Sequence, residues 1–172
     1  VREGSRTIQS NTLYNNLTSY PSKNTIKSKY FLTGDFDVSV DGNLSAYPAG
    51  YSGSNYMDNS LGIIFPNEQD RFCKVSRGYS TEFGSALYQN FSVVSRKATD
   101  GVVTTVSGSE LDPITNKDIY SLRIRRVTSD VHFYYRTTTS GVFTSWNYLG
   151  AVQMFDSDAQ LFISSYNNVG NT

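Results

Sequence analysis

Residues 119–150, IYSLRIRRVTSDVHFYYRTTTSGVFTSWNYLG, decide the fold. Their first part alternates. Leu122 and Ile124 fall on one side and Ser121, Arg123 and Arg125 on the other, the period-two pattern of a half-buried strand. Residues 131–137 alternate in the same way, Val131, Phe133 and Tyr135 against His132, Tyr134 and Arg136. Ser129 and Asp130 between them are turn formers. A two-residue loop there sets Val127 opposite His132, Arg125 opposite Tyr134 and Arg123 opposite Arg136, with Ile124 against Tyr135 and Arg126 against Phe133 on the reverse. One face is then apolar and belongs to a core. The other is a strip of Arg, Tyr and His open to water or to a partner. A one-residue bulge at the turn would invert one strand. After a Thr-Thr-Thr-Ser-Gly loop, residues 142–150 read as a third strand holding the only tryptophan, Trp146.

Before this stretch, residues 6–13 alternate weakly, as an edge strand would, and 14–29 are rich in Asn, Ser and Lys and read as a long connection. Residues 30–44 read as a long strand or a bent pair, with Phe36, Val38 and Val40 inward and Asp35, Asp37, Ser39 and Asp41 outward. Residues 45–59, SAYPAGYSGSNYMDN, read as a loop carrying Tyr47, Tyr51 and Tyr56 on a Gly-rich backbone. Strands are expected at 60–65 (ended by Pro66), 71–79, 86–96 and 102–106, then a loop at 108–118, and a closing strand at 159–165. About ten short strands, frequent turn signals and no amphipathic helix describe an all-β chain folded as an antiparallel β-sandwich or jelly roll. Residues 1–172 are expected to form a single domain, with 1–5 and 167–172 as polar termini.

The run LRIRR, two-residue turn, VHFYYR, Gly-containing loop, aromatic-rich strand and LG resembles the late strands of concanavalin A-like sandwich domains, which include laminin G-like modules, legume-type lectins and family-16-type glucanases. Residues 31–40, FLTGDFDVSV, resemble the early strand of those domains, and 159–167, AQLFISSYN, their closing strand. The three pieces follow in the expected order. The resemblance implies a concanavalin A-like fold; it implies no residue-level site.

Composition narrows the function classes. Fifteen Lys and Arg balance fifteen Asp and Glu, so no global field favours nucleic acid or an anionic membrane. No apolar run approaches the roughly 20 residues of a membrane-spanning helix. The chain begins at Val1 and shows no signal peptide, which reads as a processed product or a piece of something longer. Cys73 is the only cysteine, which leaves no internal disulfide, and its alternating strand predicts a buried, inert thiol. Thirteen Tyr among abundant Ser, Thr and Asn suggest an extracellular, cell-surface or virion-surface protein.

Catalysis finds little support. A retaining glycosidase places two carboxylates roughly 5–5.5 Å apart, and none of Glu3, Glu68, Glu82 and Glu110 lies in a Glu-x-Asp-x-x-Glu spacing. The i, i+2 pairs Asp35/Asp37 and Asp156/Asp158 keep a glycoside hydrolase open only if one of them lines a cleft. His132 is the only histidine and no Gly-x-Ser-x-Gly surrounds a serine, so the expectation is a non-enzyme. Calcium is the one metal considered, with Asp156 and Asp158 as ligands and Asp58 and Asn59 as loop partners; no other cofactor is expected.

The function expected is non-catalytic: a carbohydrate-binding or adhesion module of a larger extracellular or viral assembly. Sugars are held by aromatic faces and by planar hydrogen-bonding groups. Tyr51, Tyr56 and Trp146 are the stacking candidates, with Tyr134 on the strip and Asn55, Asp58 and Arg125 to fix hydroxyls. The alternative is a structural protein (a fibre, tail or virion-decoration domain) that buries the same Tyr and Arg surfaces against neighbouring subunits, a homo-oligomer among the arrangements this allows. Neither reading involves nucleic acid or membrane insertion.

Overall fold

The computed structural model describes residues 5–9, 12–16, 22–43, 55–68, 71–82, 86–96, 104–111 and 119–168; side chains are described within 23–43, 58–68, 71–78, 91–96 and 119–166. Among these residues the regular structure is antiparallel strand, apart from one 3-10 turn, Pro66–Glu68. β1 (Ser5–Gln9) and β2 (Thr12–Asn16) form a hairpin of their own. A six-stranded sheet runs in the order β3 (Ser22–Leu32), β13 (Ala159–Asn168), β5 (Asn55–Phe65), β6 (Arg71–Glu82), β7 (Ala86–Arg96), β8 (Thr104–Leu111). A five-stranded sheet runs β4 (Phe36–Asn43), β9 (Ile119–Val127), β10 (Asp130–Thr139), and the outer edge of β10 pairs in turn with β11 (Val142–Phe143) and β12 (Asn147–Gln153).

The two sheets stack as a sandwich because each has one apolar face. Leu61, Ile63, Phe65, Cys73, Val75, Phe91 and Val93 come from the six-stranded sheet, and Leu122, Ile124, Val131 and Phe133 from the five-stranded sheet; all are buried in one core. Phe91 closes the gap between the layers. Its ring stacks on Tyr135 of β10 with centroids 4.0 Å apart and meets Tyr120 of β9 edge-on at 6.1 Å. Phe36, Val38 and Val40 pack against this core while Asp37, Ser39 and Asp41 point out, as the alternation predicts.

Several boundaries and one register differ from the sequence reading. The central hairpin turns at Thr128 and Ser129, so Asp130 pairs with Val127, His132 with Arg125, Tyr134 with Arg123, Phe133 with Ile124 and Tyr135 with Leu122. The register therefore sits two residues from the expected one. A slip of two leaves every side chain on its expected face, since the strand period is two. The reason for the shift is tertiary. Thr128 adopts φ 55°, and its N–H donates to Asp35 Oδ1 at 2.7 Å, so a residue from the bend before β4 supports the turn. Residues 22–32, expected within a connection up to 29, form β3, and residues 55–59, expected in a loop, form the first half of β5. Pairing with β13 and β6 overrides their Asn- and Ser-rich composition. β8 runs on to Leu111, into the expected loop. The third strand of the opening stretch is broken into β11 and β12 around residues 144–146.

Arg126 lies on the core side of β9 and is 1% exposed. Its Nε donates to Gly34 O at 2.8 Å and its Nη1 to Ser157 O at 2.6 Å, and its guanidinium lies 5.0 Å from the Phe36 ring. Gly34 leads into β4 of one sheet and Ser157 into β13 of the other. The arginine thus clasps the two layers at their edge and satisfies two loop carbonyls.

Candidate functional site: the aromatic and arginine strip

The outer face of the five-stranded sheet carries the strip. Alternation aims Asp37, Ser39 and Asp41 of β4, Ser121, Arg123 and Arg125 of β9, and His132, Tyr134 and Arg136 of β10 away from the core, and pairing lays them out in rows: Asp37–Arg125–His132–Ala151, Ser39–Arg123–Tyr134–Tyr148 and Asp41–Ser121–Arg136. A register shift between Phe133 and Tyr134 brings Tyr148 opposite Tyr134, the re-aiming that a bulge produces. Trp146 arrives from the break between β11 and β12. That segment is held along β10 by Thr144, whose N–H and Oγ1 both donate to Thr137 O, at 2.8 and 3.1 Å.

These groups interleave. Arg136 lies 4.2 Å from the Phe143 ring and 4.5 Å from the Trp146 ring; Arg123 lies 5.4 Å from Trp146 and 5.4 Å from Tyr134. Tyr134 meets Tyr148 at 5.3 Å, and Tyr148 meets His132 at 6.1 Å. The result is a ladder across the sheet, Phe143, Arg136, Trp146, Arg123, Tyr134, Tyr148, His132, in which two guanidiniums are each shared between two rings. Carboxylates from β4 anchor the cations. Arg123 grips Asp37 with two parallel hydrogen bonds, one from Nε at 2.7 Å and a second from Nη2. Arg136 donates to Ser121 Oγ at 3.1 Å and lies 3.9 Å from Asp41, to which Ser121 also donates. The hydrogen bond from Arg123, helped by the nearby charges of Arg123 and Arg125, holds the Asp37 carboxyl below its ordinary pKa against a partial loss of solvation. The same bond raises the pKa of Arg123.

Arg125, Tyr134 and Trp146, expected as binding residues, therefore share this face. Arg125 is exposed and makes no hydrogen bond or ion pair among the described residues. Tyr134 and Trp146 are ladder members with guanidiniums against their rings. The open ring is Tyr148, 57% exposed. Asp58 is elsewhere. It belongs to β5 and points away from the core on the far side of the six-stranded sheet, so the expected grouping of Asp58 with Arg125 does not form. It is 4% exposed and accepts from Lys74 Nζ at 2.9 Å; Ser60 Oγ donates to its other oxygen at 3.0 Å and shares a hydrogen bond with Ser76 Oγ at 2.9 Å. Asn55 and Tyr56 lie in β5 by backbone, with side chains outside the described residues, and Tyr51 lies outside them altogether. Asp156 and Asp158 sit in the turn before β13, whereas Asp58 pairs with Tyr166, eight residues along that strand from Asp158. At about 3.3 Å per residue the expected calcium partners are roughly 25 Å apart, and among the described residues no three His, Cys, Asp or Glu gather as a metal site.

Sequence reasoning missed the joining of Trp146 to Arg123 and Arg136, and the Lys74–Asp58–Ser60–Ser76 cluster. The cluster had a signal: Lys74 and Ser76 alternate with Cys73 and Val75, and a hairpin at Pro66–Glu68 brings them to Asp58 and Ser60.

No protein-family model matches the chain, and no curated protein sequence matches it. Solved structures do. A legume lectin-like domain from Entamoeba histolytica aligns with a TM-score of 0.58 at 13% identity, covering 98% of this chain and 81% of that one. The fold is concanavalin A-like. The CBM2 module of the evolved Dit protein of Lactobacillus casei BL23 phage J-1 aligns with a TM-score of 0.53 at 11% identity, over 100% of this chain and 83% of that one. The kappa-carrageenase of Pseudoalteromonas carrageenovora aligns with a TM-score of 0.47 at 10% identity, over 96% and 65%. Among the described residues no helix of this sandwich is long and apolar enough to cross a membrane.

Proposed function

We propose that the chain is a non-catalytic carbohydrate-binding module, acting as a single domain on an extracellular or virion surface. The observation that carries this is the exposed ring of Tyr148 beside a pre-ordered strip of guanidinium, phenol and imidazole groups. An open aromatic face receives the C–H side of a pyranose, and the exposed fork of Arg125 meets its hydroxyls. Trp146 serves by holding Arg123 and Arg136 in place. Likeness to a lectin-like domain and to a CBM2 module supports the class of activity.

Asp37 suits binding better than acid catalysis. Glycoside hydrolysis needs, beside an ionised carboxylate, an acid whose pKa is raised; Asp37 is shifted the other way by its hydrogen bond from Arg123 and does not supply that acid, although it and Asp35 line a shallow depression beside Arg125. The test is a glycan array with the isolated chain, with and without EDTA. Specific binding that survives EDTA is the expected result; absence of binding to any glycan refutes the proposal.

A second reading has its own observation. Tyr30 is 74% and Phe31 49% exposed on β3, at the edge of the six-stranded sheet, and aromatic residues on an edge strand suit contact with a neighbouring subunit. Under that reading the native assembly sizes as an oligomer, and Tyr30→Ser with Phe31→Ser dissociates it.

A further inference from the structure

We infer, resting on the carbohydrate reading above, that the ligand is a short segment of one soluble glycan chain and not the flat face of a crystalline polysaccharide. A crystalline face presents rows of coplanar sugar rings. A protein that holds it needs several aromatic faces open to solvent and lying in one plane. The strip lacks them. Arg123 lies over Tyr134 and Trp146, and Arg136 over Trp146 and Phe143, so these rings are engaged with cations. Tyr148 is inclined 50° to Tyr134 and 38° to His132, so the three rings share no plane. The twist of the sheet carries neighbouring side chains further out of any common plane.

What the strip does offer is one open ring, Tyr148, close to groups that hydrogen-bond in their own planes. Arg125 carries a five-donor guanidinium with no hydrogen bond or ion pair among the described residues. His132 is its cross-strand neighbour and lies 6.1 Å from Tyr148, ring to ring. One stacked ring and a fork of donors grip one or two sugars of a chain that is free to turn. They read the hydroxyls of that segment rather than the area of a surface.

Two assays on the intact chain decide the matter. Gel mobility is measured through soluble xyloglucan, galactomannan, laminarin and alginate, and depletion from solution is measured with microcrystalline cellulose and crystalline chitin. The expected result is retardation by at least one soluble polysaccharide and no depletion by either powder. Tyr148→Ala, exposed and checked by an unchanged thermal melt, lowers the affinity about tenfold, and Arg125→Gln lowers it as well. Depletion by a powder that Tyr148→Ala abolishes overturns the single-chain inference and leaves the carbohydrate reading standing. Absence of both retardation and depletion overturns the carbohydrate reading, and the inference with it. Retardation that neither variant changes overturns the assignment of this strip as the binding face.

Discussion

Arg126→Met tests whether the two sheets are clasped at their edge as described. The substitution keeps an unbranched side chain of similar reach in the core and removes the guanidinium. Two hydrogen bonds disappear, to Gly34 O at 2.8 Å and Ser157 O at 2.6 Å. Each bond from a charged donor contributes about 1.5–3 kcal/mol net, and both carbonyls lose their partner. Against this, methionine relieves the burial of a charge and fills much of the space. The balance is a destabilisation of about 3 kcal/mol, the loss of the two charge-assisted bonds less what is recovered by no longer burying a charge. For a domain of this size that corresponds to a fall in Tm of about 6–12 °C. Thermal and urea melts followed by circular dichroism read it directly. Arg126→Lys keeps the charge but has no planar fork to reach two carbonyls in separate loops, so it falls between wild type and Arg126→Met. A drop of less than about 2 °C for Arg126→Met would mean that the cost of burying the charge offsets the two hydrogen bonds and that Arg126 does not clasp the sheets.

Three further outcomes follow from local contacts. Gly62→Ala places a methyl group 2.2 Å from a ring carbon of Phe162; it destabilises by about 1–3 kcal/mol, and Phe162→Leu in the same chain recovers part of the loss, as urea melts of the double variant show. Cys73 is fully buried and burial pushes its thiol pKa well up, so a thiol reagent leaves the native chain unmodified and labels it once denatured. Asp37 has a depressed folded-state pKa, so its pairing with Arg123 contributes fully above the unfolded carboxyl pKa and is lost as pH falls through the lower folded value. Because Asp37 is exposed, the stability gap between wild type and Asp37→Asn is about 1 kcal/mol or less at neutral pH; it closes on acidification, and melts across pH 2–7 would show no such closure if the pairing were absent.

The faces of the sandwich were legible in the sequence because alternation is local. Leu122, Ile124, Val131 and Phe133 lie in the core as their spacing says, and Arg123, Tyr134 and Arg136 lie outside. Register was not legible, since the turn at Thr128 depends on Asp35, a residue 93 positions away. Composition misled where pairing decides. Residues 55–59 look like a polar loop but extend β5, and that carries Asp58 into a partly buried ion pair with Lys74 on the opposite side of the molecule from Arg125. The chemistry of the strip was half legible. Arginine and tyrosine at alternate positions marked the outer face, while the arrival of Trp146 between Arg123 and Arg136 depends on the break between β11 and β12 that Thr144 stabilises. The inward position of Arg126 could be read from its parity, but its two carbonyl partners come from loops 92 and 31 residues away.

The proposed sugar site is the outer face of the five-stranded sheet, with Tyr148 as its stacking ring. The most direct measurement is a titration of the strongest glycan from the array against wild type, Tyr148→Ala and Tyr30→Ala, the last removing a still more exposed tyrosine from the other sheet. The expected result is about a tenfold loss of affinity for Tyr148→Ala and wild-type affinity for Tyr30→Ala. Wild-type affinity for Tyr148→Ala, or loss confined to Tyr30→Ala, would contradict it.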